Sequence, residues 1–425
     1  MPLFRWTRLP AGSSIADIDQ RLSWPHTLIL GTQYFTVMLG AMVAALLMGF
    51  DPSLSLLMCG ISTLLFYVVT AGRVPSFMGT SGVFVGAVIA LTDYDGQGGN
   101  AHLGAVLGGI LFCGAATFLL GITVRRFGTR WIMALLPPVV TGTILLLVGT
   151  SLASIPATMH DGTPFGTGIL LATAALLAVL LTSRHQFVRR IALLAALLIG
   201  TLVHALSGSA LSLAAPISLQ PLTQAAWFGL PAFQAPRLDV ATSMTLLPLV
   251  LVLAVETLAH VKTVGDMTGR DLQGQMGNAL VADGVGTMLS GSSGGPPMTS
   301  YAENVGLMAT TRVYSTAVLV VAGILAVVLG LSPKLGAVLR LIPAPVLGGV
   351  VLVMFGMIAI AGIRMLHDHA VDLRQPRNQV IVLVPLMLGA GHFSLSLGAL
   401  TFDGVSVASV AAIALQAMLP RRAGP

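Results

Sequence analysis

Charge is what this chain has least of. Asp, Glu, Lys and Arg make up 8% of its 425 residues, against roughly 25% in an ordinary soluble domain. A soluble enzyme, a nucleic-acid-binding domain and a disordered chain all need the polar surface that is missing here. Cysteine is nearly absent: Cys59 and Cys113 lie inside apolar stretches without metal-ligand or disulfide spacing, so both read as small core residues. No motif calls for a metal, a cofactor or a catalytic residue. Glutamate occurs twice, at Glu256 and Glu303. The apolar stretches run ~20 residues instead of alternating over ~10, which argues against a membrane β-barrel.

What is present is apolar: 55% hydrophobic residues, with 48 glycines and 19 methionines. This composition predicts an all-α polytopic membrane protein. Runs of span length fall near 27–48, 53–71, 101–124, 131–151, 166–183, 188–207, 243–263, 272–290, 311–332, 338–361, 378–391 and 400–419. Two further apolar segments, 74–91 and 296–310, are interrupted by Gly, Pro, Ser and Thr. Counting both gives fourteen crossings. A charged lead of 25 residues precedes a first apolar run long enough to stay as a span, so no cleavable signal peptide is expected. In a soluble protein the net charge of +6 would point to nucleic acid; here the basic residues sit in short loops and read as topology signals. With fourteen crossings and the N-terminus inside, every one of the 21 Lys and Arg except Arg237, Lys334 and Arg340 falls on the cytoplasmic side. Both termini are therefore expected in the cytoplasm, and the chain in the plasma membrane (the inner membrane of a bacterium).

The chain repeats itself. Pro138-Val139-x-x-Gly142, with Gly149 seven residues on, matches Pro345-Val346-x-x-Gly349 with Gly356 seven on, and Pro75 in the first interrupted segment corresponds to Pro297 in the second. Seven crossings separate the copies, so the second runs in the opposite sense. That predicts fourteen segments as two inverted seven-segment repeats, an arrangement of secondary transporters. Non-helical backbone cannot face lipid, because its N–H and C=O groups would go unpaired. The stretches 75–82 and 294–301 are therefore expected to be extended, each followed by a half-helix, and to meet near the bilayer midplane.

Both glutamates lie in predicted membrane segments, where a carboxylate costs ~3 kcal/mol or more and is a functional candidate. His260 follows Glu256 by four residues, which places the two on one helix face. A carboxylate and an imidazole on one stripe can bind a ligand or relay a proton. Asp283 and Asn278 share the span at 272–290; Asp283 reads either as a group that orients a neighbouring segment or as a group that takes part in coupling. Lys262 and Arg312 read as topology anchors.

Glu303-Asn304-Val305-Gly306-Leu307-Met308-Ala309-Thr310-Thr311-Arg312 fits E-N-x-G-x-x-x-x-T-R. It resembles the signature of the nucleobase-ascorbate transporter family, nucleobase:cation symporter family 2. Gly294-Gly295-Pro296-Pro297, Thr299-x-Tyr301-x-Glu303-Asn304 and Glu256-x-x-x-His260 are similar to the same family. Glu at the first motif position resembles the uracil permeases; purine members carry Gln there and ascorbate members Pro. The resemblance implies a core domain at 27–124 and 243–333 and a gate domain at 125–207 and 334–419. Residues 1–26 and 420–425 would be cytoplasmic, and 208–242 an external linker whose Trp227, Phe228 and Phe233 anchor at the interface. It also implies a homodimer in the lipid bilayer.

By the same resemblance, substrate lies between the half-helices. It is held by Glu256, Glu303, Ser81, Gly82, Tyr301 and Ala302, with Gln33, Tyr34, Asn304 and Asp283 in support. Uracil offers two N–H donors and two carbonyl acceptors, which suit carboxylates and backbone amides. Glu256, His260 and Glu303 would carry the coupling proton, with sodium open as the alternative ion. Three positions depart from the family pattern: Tyr34 for His after Gln33, Gly82 for an aromatic after Ser81, and Ala302 for Gly before Glu303. Xanthine or uric acid is therefore the alternative substrate. A small-anion transporter of the same fold is disfavoured, because the predicted core offers carboxylates and no Lys or Arg. An uncoupled channel would need a continuous polar lining, and Glu256-x-x-x-His260 is not the H-E-x-x-H of a metalloenzyme.

Overall fold

The computed structural model describes residues 3–10, 15–39, 42–94, 98–159, 162–185, 188–189, 191–210, 212–213, 217–301, 303–391, 393–398 and 400–420; of Val37, Glu303 and Asn304 it describes the backbone. Its main helices are α1 Trp24–Met38, α2 Pro52–Val69, α3 Val85–Thr92, α4 Leu103–Phe127, α5 Pro138–Ser151, α6 Pro164–Leu181 and α7 Ala192–Ala210. They continue as α8 Leu249–Thr268, α9 Met276–Ser293, α10 Glu303–Thr311, α11 Thr316–Gly330, α12 Ala344–Asp368, α13 Pro376–Ala390 and α14 Gly404–Met418. The strands are β1 Thr7–Arg8, β2 Gln20–Arg21, β3 Met78–Thr80, β4 Met298–Ser300, β5 Leu395–Leu397 and β6 Leu400–Phe402. Among the described residues, seven helices are long and apolar enough to cross a membrane, or eight if a bent pair is one span. Leu198, Leu202 and Leu206 line one exposed stripe of α7, a surface that fits lipid and not water.

Several boundaries follow from local chemistry. Asp51 caps α2 by accepting a 2.9 Å bond from the Leu54 amide, with Pro52 in the first turn. Thr163 and Asp403 cap α6 and α14 in the same way, accepting from Gly166 and Ser406. Two expected runs are broken. The run at 131–151 divides at Pro137-Pro138 into Arg130–Leu135 and α5, since proline cannot donate to the preceding turn. The run at 338–361 starts inside Pro333–Arg340, a helix set at 87° to α11, and α12 begins only after Pro343.

Packing is closest where side chains vanish. α4 and α9 lie side by side, and a Cβ on Gly284 would stand 2.4 Å from the Phe118 amide nitrogen. Gly114 across the interface has the same constraint against Met288. Small residues at such crossings let two backbones touch inside a membrane. α2 packs on α9 and α11, α5 on α12 and α13, α6 on α7 and α12, and α13 on α14.

The lead before α1 is a strap. β1 and β2 pair in parallel, and Ala16 and Ile18 are buried against the turn after α10. The Ala16 amide donates to the Arg312 carbonyl, the Tyr314 amide to Ala16, and the Trp6 indole to Thr316. Arg270 bonds to Asp17 at 2.5 Å and Asp19 at 3.0 Å.

Candidate functional site

The two interrupted segments come together. β3 and β4 pair antiparallel, Met78 opposite Ser300, Gly79 opposite Thr299 and Thr80 opposite Met298. All six residues are buried. The pairing extends outward, with the Ser81 amide donating to the Pro297 carbonyl and the Tyr301 amide to Phe77. Each strand is pinned to the helix before it by a threonine. The Met78 amide donates to Thr63 of α2 at 2.9 Å, and the Met298 amide to Thr287 of α9 at 3.1 Å. These hydroxyls satisfy strand amides that would otherwise go unpaired at membrane depth. β3 runs into the turn Gly82–Phe84 and α3, and β4 into α10, so two short helices start at the crossing.

Glu256 sits on α8, half-buried beside this crossing, and its carboxylate accepts a 3.3 Å bond from the Thr299 hydroxyl of β4. One residue on, Thr257 donates to the carboxyl of Asp283 on α9, which also accepts from Ser300 of β4 at 3.1 Å. Asp283 is fully buried and ties α8, α9 and β4 into one network. His260 is buried on the same face of α8 as Glu256, but it bonds to the first segment. Its Nε2 lies 3.2 Å from the Pro75 carbonyl and therefore donates. Among the described residues, His260 Nδ1, the Ser81 hydroxyl and the Gln33 amide nitrogen are buried without a hydrogen-bond partner. Unpaired polar atoms of this kind are costly unless water or a ligand meets them.

Gly82 is half-buried and open in front: the one atom near a Cβ built there is Cε1 of Phe355, on α12, at 3.9 Å. Tyr301 fills the space over Gly79, where a Cβ would stand 1.9 Å from its ring, and its hydroxyl donates to the Thr80 carbonyl at 3.2 Å. Tyr34 reaches the far end of α10 and donates to the Val313 carbonyl at 3.1 Å. Ala302 and the side chains of Glu303 and Asn304 lie outside the described residues; the backbone of Glu303 opens α10.

Thr63, Thr287, Thr299, Ser300 and Phe355 escaped the sequence reading. The two threonines carried a usable signal, since each precedes its extended stretch on the neighbouring helix, one in each half of the chain. Thr299 and Ser300 lay inside the motif but their partners depend on strand register. Gly79 makes a test of that register. Gly79→Ala is expected to displace the Tyr301 ring at about 1–3 kcal/mol, seen as a lower Tm in detergent, and Tyr301→Ala on top should recover part of the loss. An unchanged Tm for the single variant would contradict the ring's placement.

A family model described as "Permease family", the xanthine/uracil permeases, matches residues 25–397. The putative pyrimidine permease RutG of Escherichia coli (strain K12) is 43% identical over 411 residues, covering 96% of this chain and 93% of that protein. The uracil permease of Bacillus caldolyticus is 33% identical over 422 residues, covering 96% and 95%. That of Escherichia coli (strain K12) is 33% identical over 408 residues, covering 94% and 92%. Among solved structures, the transmembrane domain of the cyanobacterial bicarbonate transporter BicA superposes with a TM-score of 0.55 at 14% identity, covering 92% of this chain and 97% of that one. SLC26A9 superposes with a TM-score of 0.60 at 15% identity, covering 92% of this chain and 64% of that one. These two likenesses concern the fold. The chain is an integral membrane permease, and it belongs to the nucleobase:cation symporter 2 family.

Proposed function

We propose that this permease imports a nucleobase, uracil first, by proton symport, and that the base sits at the β3–β4 crossing. The observation that carries this reading is the convergence of Glu256, through Thr299, with two buried strands and the starts of two short helices. Carboxylates at Glu256 and Glu303 accept from the ring N–H groups, and backbone amides near Gly82 and Ala302 donate to its carbonyls. A protonatable carboxylate in a low-dielectric site can also carry the coupling ion; Glu256, His260 and Glu303 are assigned that role, with sodium as the competing ion. The names of the relatives support a pyrimidine base. The open space at Gly82 favours a second reading, a larger base such as xanthine or uric acid.

The same reading takes the fold as two inverted repeats of seven segments, in a core and a gate domain. The packing supports it. Advancing both members by seven helices turns α4–α9 into α11–α2, α6–α12 into α13–α5, and α6–α7 into α13–α14, and each of these pairs is in contact. Repeats inverted in the membrane produce this pattern.

Uptake of radiolabelled uracil into proteoliposomes tests the function. An inward proton gradient is expected to drive accumulation, unlabelled xanthine and uric acid to compete weakly, and Glu303→Gln to abolish uptake. Uptake that follows a sodium gradient would replace the ion; uptake of labelled xanthine without uracil would replace the base.

A further inference from the structure

In a core that moves against a gate, substrate has to leave toward the basic side of the membrane. From Glu256, the face of α8 runs down through Ala259 to Lys262. Opposite it stand Met133, Leu136 and, on α12, Met365. Between them is a cavity of about 30 Å³. A space of that size admits a water or two and is too small for a flat base. At its lower end the Lys262 ammonium, on α8, lies 2.5 Å from Nε2 of His369, which caps α12.

The direction of this bond is fixed. Nδ1 of His369 lies 3.0 Å from the Met365 carbonyl, which can only accept, so Nδ1 carries the proton. Nε2 is then a lone-pair acceptor, and the ammonium donates to it. Such a charge-assisted bond is shorter and stronger than a neutral one. Both side chains are half-buried, and Asp266, one turn beyond Lys262 on α8, is exposed. Among the described residues Lys262 has no ion-pair partner: the contact it makes is to the imidazole on the other domain. A lysine serving only as a topology anchor would need no such partner.

We propose that Lys262 and His369 are the latch of the cytoplasmic gate: their bond holds α8 of the core against α12 of the gate, and it must break for the base to leave. The proposal rests on the transport reading above, with the core moving against the gate. The pair positions helices and does not touch substrate.

A cross-link tests it. Lys262→Cys with His369→Cys, joined by a bis-methanethiosulfonate reagent that dithiothreitol cleaves, is expected to stop net uracil uptake at least tenfold while equilibrium uracil binding in detergent stays within twofold. Reduction should restore uptake. Single-cysteine controls should take up uracil at the same rate with and without the reagent, since Cys59 and Cys113 are buried. Lys262→Met provides a second measurement: a cysteine at Leu258 should react with a water-soluble maleimide from the cytoplasmic side about 3- to 10-fold faster than in the parent. Uptake unchanged by the cross-link, or Leu258→Cys labelling unchanged by Lys262→Met, overturns the latch. If the untreated double variant and the parent both take up no base, the transport reading fails instead, and the labelling result still decides whether the pair holds the cavity shut.

Discussion

Glu256→Gln is expected to lower gradient-driven uracil uptake by 100-fold or more with the protein still inserted and folded. The amide has the shape of the carboxylate, and its oxygen can still accept from Thr299, so the bond between α8 and β4 survives. On the proposed reading, what is lost is the negative acceptor for the ring N–H groups. A hydrogen bond to a charged group is worth about 1.5–3 kcal/mol, and a neutral NH2 group aimed at an N–H donor adds repulsion. Glu256→Asp keeps the charge and withdraws it by one methylene, so a loss of about tenfold is expected, mostly in KM. Measuring exchange at equilibrium beside net uptake divides the two roles assigned to this residue. If Glu256 only grips the base, exchange and net uptake fall together. If it also carries the proton, Glu256→Gln keeps a residual exchange at high uracil after net uptake has gone. Uptake by Glu256→Gln within twofold of the parent would remove Glu256 from the site.

Much of this was written in the sequence, and the part that was not has a common cause. Proline and glycine in 75–82 and 294–301 announce that helix cannot continue there, and membrane depth dictates that such backbone be covered; the structure pairs the two stretches. The cost of a carboxylate in a membrane segment named Glu256 and Glu303 as candidates. Spacing, however, gives a shared face and no partner. Glu256 and His260 lie four apart on α8, yet one bonds to the second stretch and the other to the first. Tyr301 and Tyr34 stand beside motif positions, and both hydroxyls are used on backbone carbonyls, Tyr301 on Thr80 before α3 and Tyr34 on Val313 after α10. The residues before α1 read only as a charged cytoplasmic lead, because β1 and β2 are two residues long and have no periodicity. Their anchors, Arg270 and the carbonyl of Arg312, are more than 250 positions away. Lys262 met the expectation for a loop-end anchor equally well, and only the position of His369 distinguishes the two roles.

Asp283 is where the second large effect is expected, and the two substitutions that matter there pull apart. Asp283→Ala removes the acceptor for Thr257 and Ser300 at a site with no access to water. Thr257 can fall back on the Leu253 carbonyl, which it already reaches at 2.9 Å, but among the described residues Ser300 has left only the sulfur of Met78 at 3.8 Å. Each lost bond to the carboxyl is worth about 1.5–3 kcal/mol, so a lower Tm and uptake reduced 100-fold or more are expected. Asp283→Asn is gentler. Its carbonyl still accepts from one hydroxyl, and its NH2 group can donate to the other, because a hydroxyl oxygen also accepts. The network then keeps its shape, Thr299 stays next to Ser300 in register, and Glu256 stays next to Thr257. If Asp283 acts by position, Asp283→Asn should raise KM about tenfold with kcat nearly unchanged, and the proton gradient should still drive accumulation. If Asp283 itself carries the proton, the same variant should lose accumulation while exchanging uracil at the parent rate. The geometry favours position: two hydroxyls from two different elements donate to this one carboxyl, and together they fix the strand that reaches Glu256.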